Sequence, residues 1–218
     1  MQRYDNIIWD FNGTLIDDTW LAVGAVNRLL RHRDLGELTT TRYRELFGFP
    51  ISDYYVRIGI DPTVESEAKL AEEFHDGYLA GLPDVVLHPG VEALLGQVAR
   101  IGCQQFVLSA MAEDLLVPAL ERLGIAGRFT AIYGLGTRFA HSKIERGQEL
   151  VKAHGLAGQR SLMVGDTDHD AEVAEALGFD AVLVSLGHQS TSRLRETGAL
   201  VCESFAELGR HLDGVGQT

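Results

Sequence analysis

Four aspartates and one lysine carry the chemistry this sequence can do. Asp10 ends the apolar run Asn6-Ile7-Ile8-Trp9 and is followed by Phe11-Asn12-Gly13. Asp166, Asp168 and Asp170 alternate through Gly165-Asp166-Thr167-Asp168-His169-Asp170, directly after Ser161-Leu162-Met163-Val164. Acidic residues at that spacing behind an apolar strand suit an octahedral, all-oxygen Mg2+ site. His169 is a poor magnesium ligand and reads as a helix residue. Asp10, Asp166 and Asp170 together would cluster negative charge that only a cation makes tolerable. Beyond Lys69 the chain has two lysines, Lys143 and Lys152, and only Lys143 stands just before a helical pattern. The first turn of a helix is electrostatically poor for a lysine. Lys143 is therefore expected to act as a cation beside the acidic residues, keeping Asp10 ionised.

Such residues need a scaffold that brings strand ends together. Short β-branched and aromatic runs recur: 6–11, ending at Asn12-Gly13; 105–108, ending at Ser109; 130–133, ending at Gly134; 161–164, ending at Gly165; and 181–184, ending at Ser185. Helical patterns lie between them over 91–101, 113–123, 144–154 and 170–177. Strands alternating with helices imply a doubly wound, parallel α/β sheet covered on both faces. In such sheets ligands bind beyond the C-terminal strand ends, where Asp10, Ser109 and Asp166 stand. The alternation breaks after the first strand. Helical spacing fills 20–31, 41–47 and 64–79, and Gly81-Leu82-Pro83 closes the stretch. The expected organisation is an α/β core of 1–16 and 84–218 with a helical cap domain at 17–83. Trp20 is expected in the core of that cap. Arg42, Arg44, Tyr54, Tyr55 and Arg57 are expected on its helix surfaces or inside it.

The motif Asp10-Phe11-Asn12-Gly13-Thr14-Leu15, Ser109, Lys143 and the Gly165–Asp170 run occur in an order that resembles the haloacid dehalogenase superfamily. The likeness is to the capped, phosphoglycolate phosphatase-like branch, and it spans nearly the whole chain. It implies that Asp10 attacks phosphorus, forms an aspartyl phosphate and ligates magnesium. By the same resemblance the backbone carbonyl of Asn12 and Asp166 are metal ligands, and Asp170 supports the site. Ser109, the neighbouring backbone N–H groups around Ala110, and Lys143 would hold the phosphoryl oxygens. Phe47-Gly48-Phe49-Pro50 looks like the specificity loop of the cap. Gly187-His188-Gln189-Ser190 resembles a stretch of close relatives, as a loop at the edge of the site.

The sequence departs from that pattern at one position. Phosphatases of the family carry a second aspartate two residues after the nucleophile, which protonates the leaving alkoxide and then activates water. Asn12 stands there, and an amide cannot transfer protons in this role. The sequence leaves several readings open. Substrates with good leaving groups, such as acyl or aryl phosphates, need less proton donation. Another group, among Asp17, Asp18, His88 and His141, could stand in. The chemistry could be that of a different branch, such as dehalogenation or phosphonate cleavage. The chain could also bind a phosphometabolite without turning it over. The acidic cluster argues against dehalogenation, which this fold performs without magnesium. Phosphonate cleavage needs a cap lysine near the site, and the only lysine in the cap, Lys69, falls mid-helix.

Bulk properties narrow the partners. Of 218 residues 31 are acidic and 19 basic, a formal net charge of −12. A surface that acidic disfavours nucleic acids and anionic membranes, while a bound cation can still attract a small phosphorylated substrate. Cys103 and Cys202 form no CxxC pair and read as buried apolar residues. No signal-peptide-like start and no run of about 20 apolar residues is present, so the expected setting is cytoplasmic. A monomer or a homodimer is expected.

Overall fold

The computed structural model describes residues 4–216, apart from 62, 137–141 and 157–159. His141 lies outside the described residues. Six parallel strands form one sheet: β1 (Asn6–Trp9), β2 (Gln104–Ala112), β3 (Ala131–Leu135), β4 (Ser161–Gly165), β5 (Asp180–Val184) and β6 (Leu200–Cys202). Their order is β3-β2-β1-β4-β5-β6. The chain therefore winds one way from β1 and then the other. β1 is the switch point, where a crevice opens beyond the carboxyl ends of the strands.

All four β1 residues are buried, as a strand covered on both faces requires. Ile7 and Trp9 point into one apolar layer with Val107, Leu162 and Val164. Ile8 points into the other, with Phe106, Leu108 and Met163. The helices α5 (Val91–Arg100), α6 (Glu113–Arg122) and α10 (Phe205–Gly216) contribute Leu95, Leu116 and Leu208 to the first layer. The second is covered by α7 (Lys143–His154) and α8 (Asp168–Leu177) through Leu150 and Val173. The short α9 (Thr191–Glu196) leads into the edge strand β6.

Between β1 and α5 no strand of the sheet occurs among the described residues. Instead α1 (Thr19–Arg31), α2 (Thr40–Leu46), α3 (Ile51–Arg57) and α4 (Glu67–Gly81) follow one another. α1 and α4 pack together, with Ala25 facing Gly77. The two chain segments that join this helical part to the sheet run beside each other. Asp17 N donates to Val86 O at 2.9 Å, and His88 N donates to Leu15 O at 3.0 Å. Trp20 departs from expectation. It is 51% exposed, and its indole N–H donates to Asp17 O at 3.0 Å instead of packing inside. Cys103 and Cys202 are buried, as expected. Among the described residues no helix is long and apolar enough to cross a membrane.

Candidate active site

β1 delivers Asp10 to the crevice, and the strand pairing continues one residue further, with Asp10 N donating to Val164 O at 2.9 Å. β4 ends at Gly165, so Asp166 emerges beside Asp10, and Asp170 comes from the first turn of α8. Carboxylate oxygens of Asp10, Asp166 and Asp170 all lie within 4.8 Å of one another, and all three residues are buried. Lys143, the first residue of α7, reaches between two of them. Its Nζ donates to Asp10 Oδ1 at 2.5 Å and to Asp170 Oδ1 at 2.6 Å. Ser142 caps α7 reciprocally with Glu145, which fixes the helix start that presents Lys143.

Both oxygens of Asp166 and the second oxygen of Asp170 are held by the protein. Asp170 Oδ2 accepts from Asp166 N at 3.1 Å, Thr167 N at 3.0 Å and Thr167 Oγ1 at 2.8 Å. Asp166 Oδ1 accepts from Thr14 Oγ1 at 3.0 Å, and Oδ2 accepts from His188 N at 2.6 Å. The packing around these oxygens leaves no room for side chains. A Cβ on Gly187 would lie 2.1 Å from Asp166 Oδ2 and 2.5 Å from Gly13 O. Gly187→Ala is therefore expected to destabilise the protein by about 1–3 kcal/mol, the usual range for forced overpacking. Urea unfolding midpoints would show it, and an unchanged midpoint would mean that the loop yields freely.

Burial raises the Asp10 carboxyl to about 6, against the pull of Lys143 and with the charge of Asp170 adding. Burial raises Asp166 further, to about 8, with Asp10 and Asp170 adding and His188 opposing. Asp170 moves the other way. Lys143 and the Thr167 hydrogen bonds outweigh its burial and hold it below the usual carboxylate range. Asp166 thus keeps its proton to higher pH than a free carboxyl, and Asp10 does so only below about pH 6, unless more positive charge arrives. A cluster of oxygen ligands without thiol or imidazole among them fits a hard divalent cation.

Around Asn12 a second polar cluster forms, part of which the sequence did not expose. The amide nitrogen of Asn12 donates to Asp18 Oδ2 at 3.0 Å and to the Tyr78 hydroxyl at 2.8 Å. Tyr78 in turn donates to Asp18 Oδ2 at 2.5 Å. Asp18 Oδ1 accepts from Gly13 N at 2.7 Å and lies 3.2 Å from His188 Nε2. Tyr43 OH meets His188 Nδ1 at 3.1 Å. Burial opposes ionisation of Asp18, but His188, Tyr78 and Asn12 outweigh it and hold Asp18 low. Burial also opposes a charge on His188, yet Asp18, then Asp166 and Asp10, lift it to about 9.

Of Asp17, Asp18 and His88, the described residues among the four named as stand-ins for the absent aspartate, Asp18 is the one hydrogen-bonded to Asn12. His88 Nε2 instead contacts Gly13 O at 3.1 Å. The other expected positions separate clearly. Ser109 Oγ accepts from Met111 N at 3.1 Å and lies 3.5 Å from Asn12 Oδ1, long for a hydrogen bond. Ala110 lines the cavity above Asp10. Asp168 stands outside the carboxylate cluster and holds Arg193 at 2.7 Å and Gln189 at 2.8 Å. Gln189 and Arg193 both donate to Phe47 O, and Arg44 donates to Leu186 O at 2.6 Å. The loop after α2 is thereby latched to the loop after β5, which gives Gly187–Ser190 a role that its sequence did not reveal.

Comparison with known proteins agrees with this geometry. The phosphoglycolate phosphatase of Rhodospirillum rubrum is 28% identical over 216 residues, covering 93% of this chain and 88% of that protein. The tyrosine-protein kinase PtkA of Mycobacterium tuberculosis is 28% identical over 221 residues, covering 96% of this chain and 72% of that one. A solved structure from Clostridium acetobutylicum, described as a predicted phosphatase, superposes with a TM-score of 0.83 at 20% identity. It covers 98% of this chain and 100% of the other, and it speaks for the fold. The sequence model for haloacid dehalogenase-like hydrolases matches residues 7–184. Since that span takes in the switch-point strand, Lys143 and all three clustered aspartates, the chain belongs to the haloacid dehalogenase-like hydrolases.

Proposed function

We propose that the chain is a Mg2+-dependent phosphatase that hydrolyses a small phosphorylated metabolite through an aspartyl phosphate on Asp10. The observation that carries this reading is the placement of Asp10. It sits at the end of the central strand, bonded to Lys143 and within 4.8 Å of Asp166 and Asp170.

Asp10, Asp166, Asp170 and the backbone carbonyl of Asn12 would hold the metal. When bound, it supplies positive charge to the phosphoryl oxygens and favours the ionised form of Asp10. Asp10 then attacks phosphorus with the oxygen not held by Lys143. Lys143 Nζ neutralises charge on the phosphoryl group while keeping Asp10 oriented. Ser109 and the backbone N–H groups around Ala110 take the remaining phosphoryl oxygens. Residues 17–83 act as a cap that excludes water from this reaction, and their contacts to 186–193 support that reading. Asn12 transfers no proton, and its side chain holds Asp18.

The test is phosphate release from a panel of small phosphates by the whole protein, with Mg2+ and with chelator. Asp10→Asn is expected to lower turnover roughly 10⁴-fold or more, as loss of a nucleophile does. Turnover that survives Asp10→Asn would overturn the aspartyl phosphate. Ligand-dependent stabilisation without any release would leave a binding protein instead.

A further inference from the structure

The cavity that opens on Asp10, Asn12 and Lys143 has a volume of about 650 Å³, room for a drug-sized organic group beyond a phosphate. Its walls are strongly apolar and rich in rings, among them Phe47, Phe49, Tyr54, Phe74 and Tyr78, with Met111 beside them. Three large apolar side chains that stay partly open to solvent, Phe49, Leu79 and Leu115, also line it. The rings already pack on one another. Phe74 stacks on Tyr78 with centroids 5.8 Å apart, and Phe49 lies against His169 at 4.8 Å.

The charges point the same way. Among the described lining residues Lys143 is the only lysine or arginine, and it is already shared between Asp10 and Asp170. Glu67 adds negative charge to the wall. Among the described lining residues a substrate carboxylate next to the phosphate would find no unshared lysine or arginine, and the His188 ring that also lines the cavity already faces Asp18.

Asn12 gives an independent constraint. With no proton to donate, the site suits a leaving group that departs as an anion. A phenol has a pKa of about 10, against about 16 for water, so a phenolate leaves far more readily than an alkoxide.

We propose that the substrate is an aryl phosphate, its ring held among Phe49, Phe74 and Tyr78. This rests on the phosphatase reading above. Asp10 forms the new O–P bond as the P–O(aryl) bond breaks, and the electron pair leaves on the phenolate oxygen. Water then attacks phosphorus, the Asp10 carboxylate departs, and the water proton passes to solvent. Neither step takes a proton from residue 12.

The experiment compares kcat/KM of the full-length protein with Mg2+ on 1-naphthyl phosphate, acetyl phosphate, phosphoglycolate and glycerol 3-phosphate. 1-Naphthyl phosphate is expected to exceed phosphoglycolate and glycerol 3-phosphate by about 100-fold or more. Acetyl phosphate shares the good leaving group without the ring, so it separates the cavity from the chemistry. Phe74→Ala is expected to lower the naphthyl-to-acetyl ratio of kcat/KM about tenfold, mainly through KM for the aryl ester. Equal or better turnover of phosphoglycolate, or an unchanged ratio in Phe74→Ala, would overturn the aryl assignment and leave the phosphatase reading standing. Release from none of the four, acetyl phosphate included, would overturn the phosphatase reading and this proposal with it.

Discussion

Asn12→Asp alone is expected to raise turnover of alkyl phosphates less than tenfold, whereas Asn12→Asp combined with Asp18→Asn is expected to raise it about 10²–10⁴-fold. The upper figure is the usual worth of general acid–base catalysis. The difference follows from what faces the side chain of residue 12. Asn12 donates to Asp18 Oδ2 at 3.0 Å and to Tyr78 OH at 2.8 Å, and Tyr78 donates to the same Asp18 oxygen. A carboxylate introduced at position 12 would replace that donor with an acceptor, setting two buried carboxylates against each other. One of them must then keep a proton. That proton would be shared with Asp18 and poorly available to a leaving alkoxide. The single variant should also lose stability as pH rises. Its folded form holds a proton that the unfolded chain releases near pH 4, so alkali favours unfolding. Exchanging Asp18 for asparagine restores an N–H donor at Oδ2, lets Tyr78 turn to the new carboxylate, and leaves Oδ1 for Gly13 N. Glycerol 3-phosphate turnover by the two variants, with urea midpoints at pH 5 and pH 8, decides the matter. If the single variant gains as much as the double, Asp18 does not govern residue 12.

This pairing explains why the candidate site was only half legible in the sequence. Asp10, Asp166 and Asp170 stand at ends of strands whose apolar runs are plain, and parallel α/β winding brings such ends together. Lys143 was legible because the chain is poor in lysine and a helix start disfavours it. Asp18, Tyr43, Tyr78 and His188 come from the segment before α1, from α2, from α4 and from the loop after β5, in that order. Nothing in their local pattern signals that these segments meet. Burial of a charged pair such as Asp18 and His188 is a tertiary fact. Gly187 likewise looked like a loop glycine until Asp166 was placed against it.

The same limit applies to the fold. β6 is three residues long, Leu200–Cys202, too short to show a period. α3 spans Ile51–Arg57, and its tyrosines Tyr54 and Tyr55, which the sequence left open between surface and interior, are both buried. Trp20 illustrates the opposite error. A large aromatic at a helix start was expected inside, yet Leu21, Ala22 and Val23 turn inward and leave it at the surface. Phe47 and Phe49 were picked out by resemblance, and they line the cavity above Asp10. Position in the fold, more than residue type, gives each of these side chains its task.

Removing divalent cations is expected to make the stability of the protein fall steadily as pH rises from about 4 to 8, and saturating Mg2+ is expected to abolish most of that slope. Asp10 is raised to about 6 and Asp166 to about 8 in the folded protein. Unfolded aspartates release their protons near 3.9. Between those values the folded state binds more protons, so each rise in pH favours unfolding, and the loss is complete once the folded groups ionise. A cation held by ionised carboxylates takes over the role of the protons. At 100 times its Kd a ligand stabilises by about 2.7 kcal/mol, which corresponds to a rise in Tm of roughly 5–10 °C for a chain of this size. Lys143→Met sharpens the test. Lys143 is buried between Asp10 and Asp170 at 2.5 and 2.6 Å, and losing one partner of a buried ion pair costs about 3–5 kcal/mol. That cost should be largest in chelator at pH 8 and smaller at pH 5, where the carboxyls regain protons. Melting curves of the parent and Lys143→Met across this pH range, with EDTA and with Mg2+, give all four comparisons. A Tm indifferent to both pH and Mg2+ would show that the three carboxylates do not form a cation site.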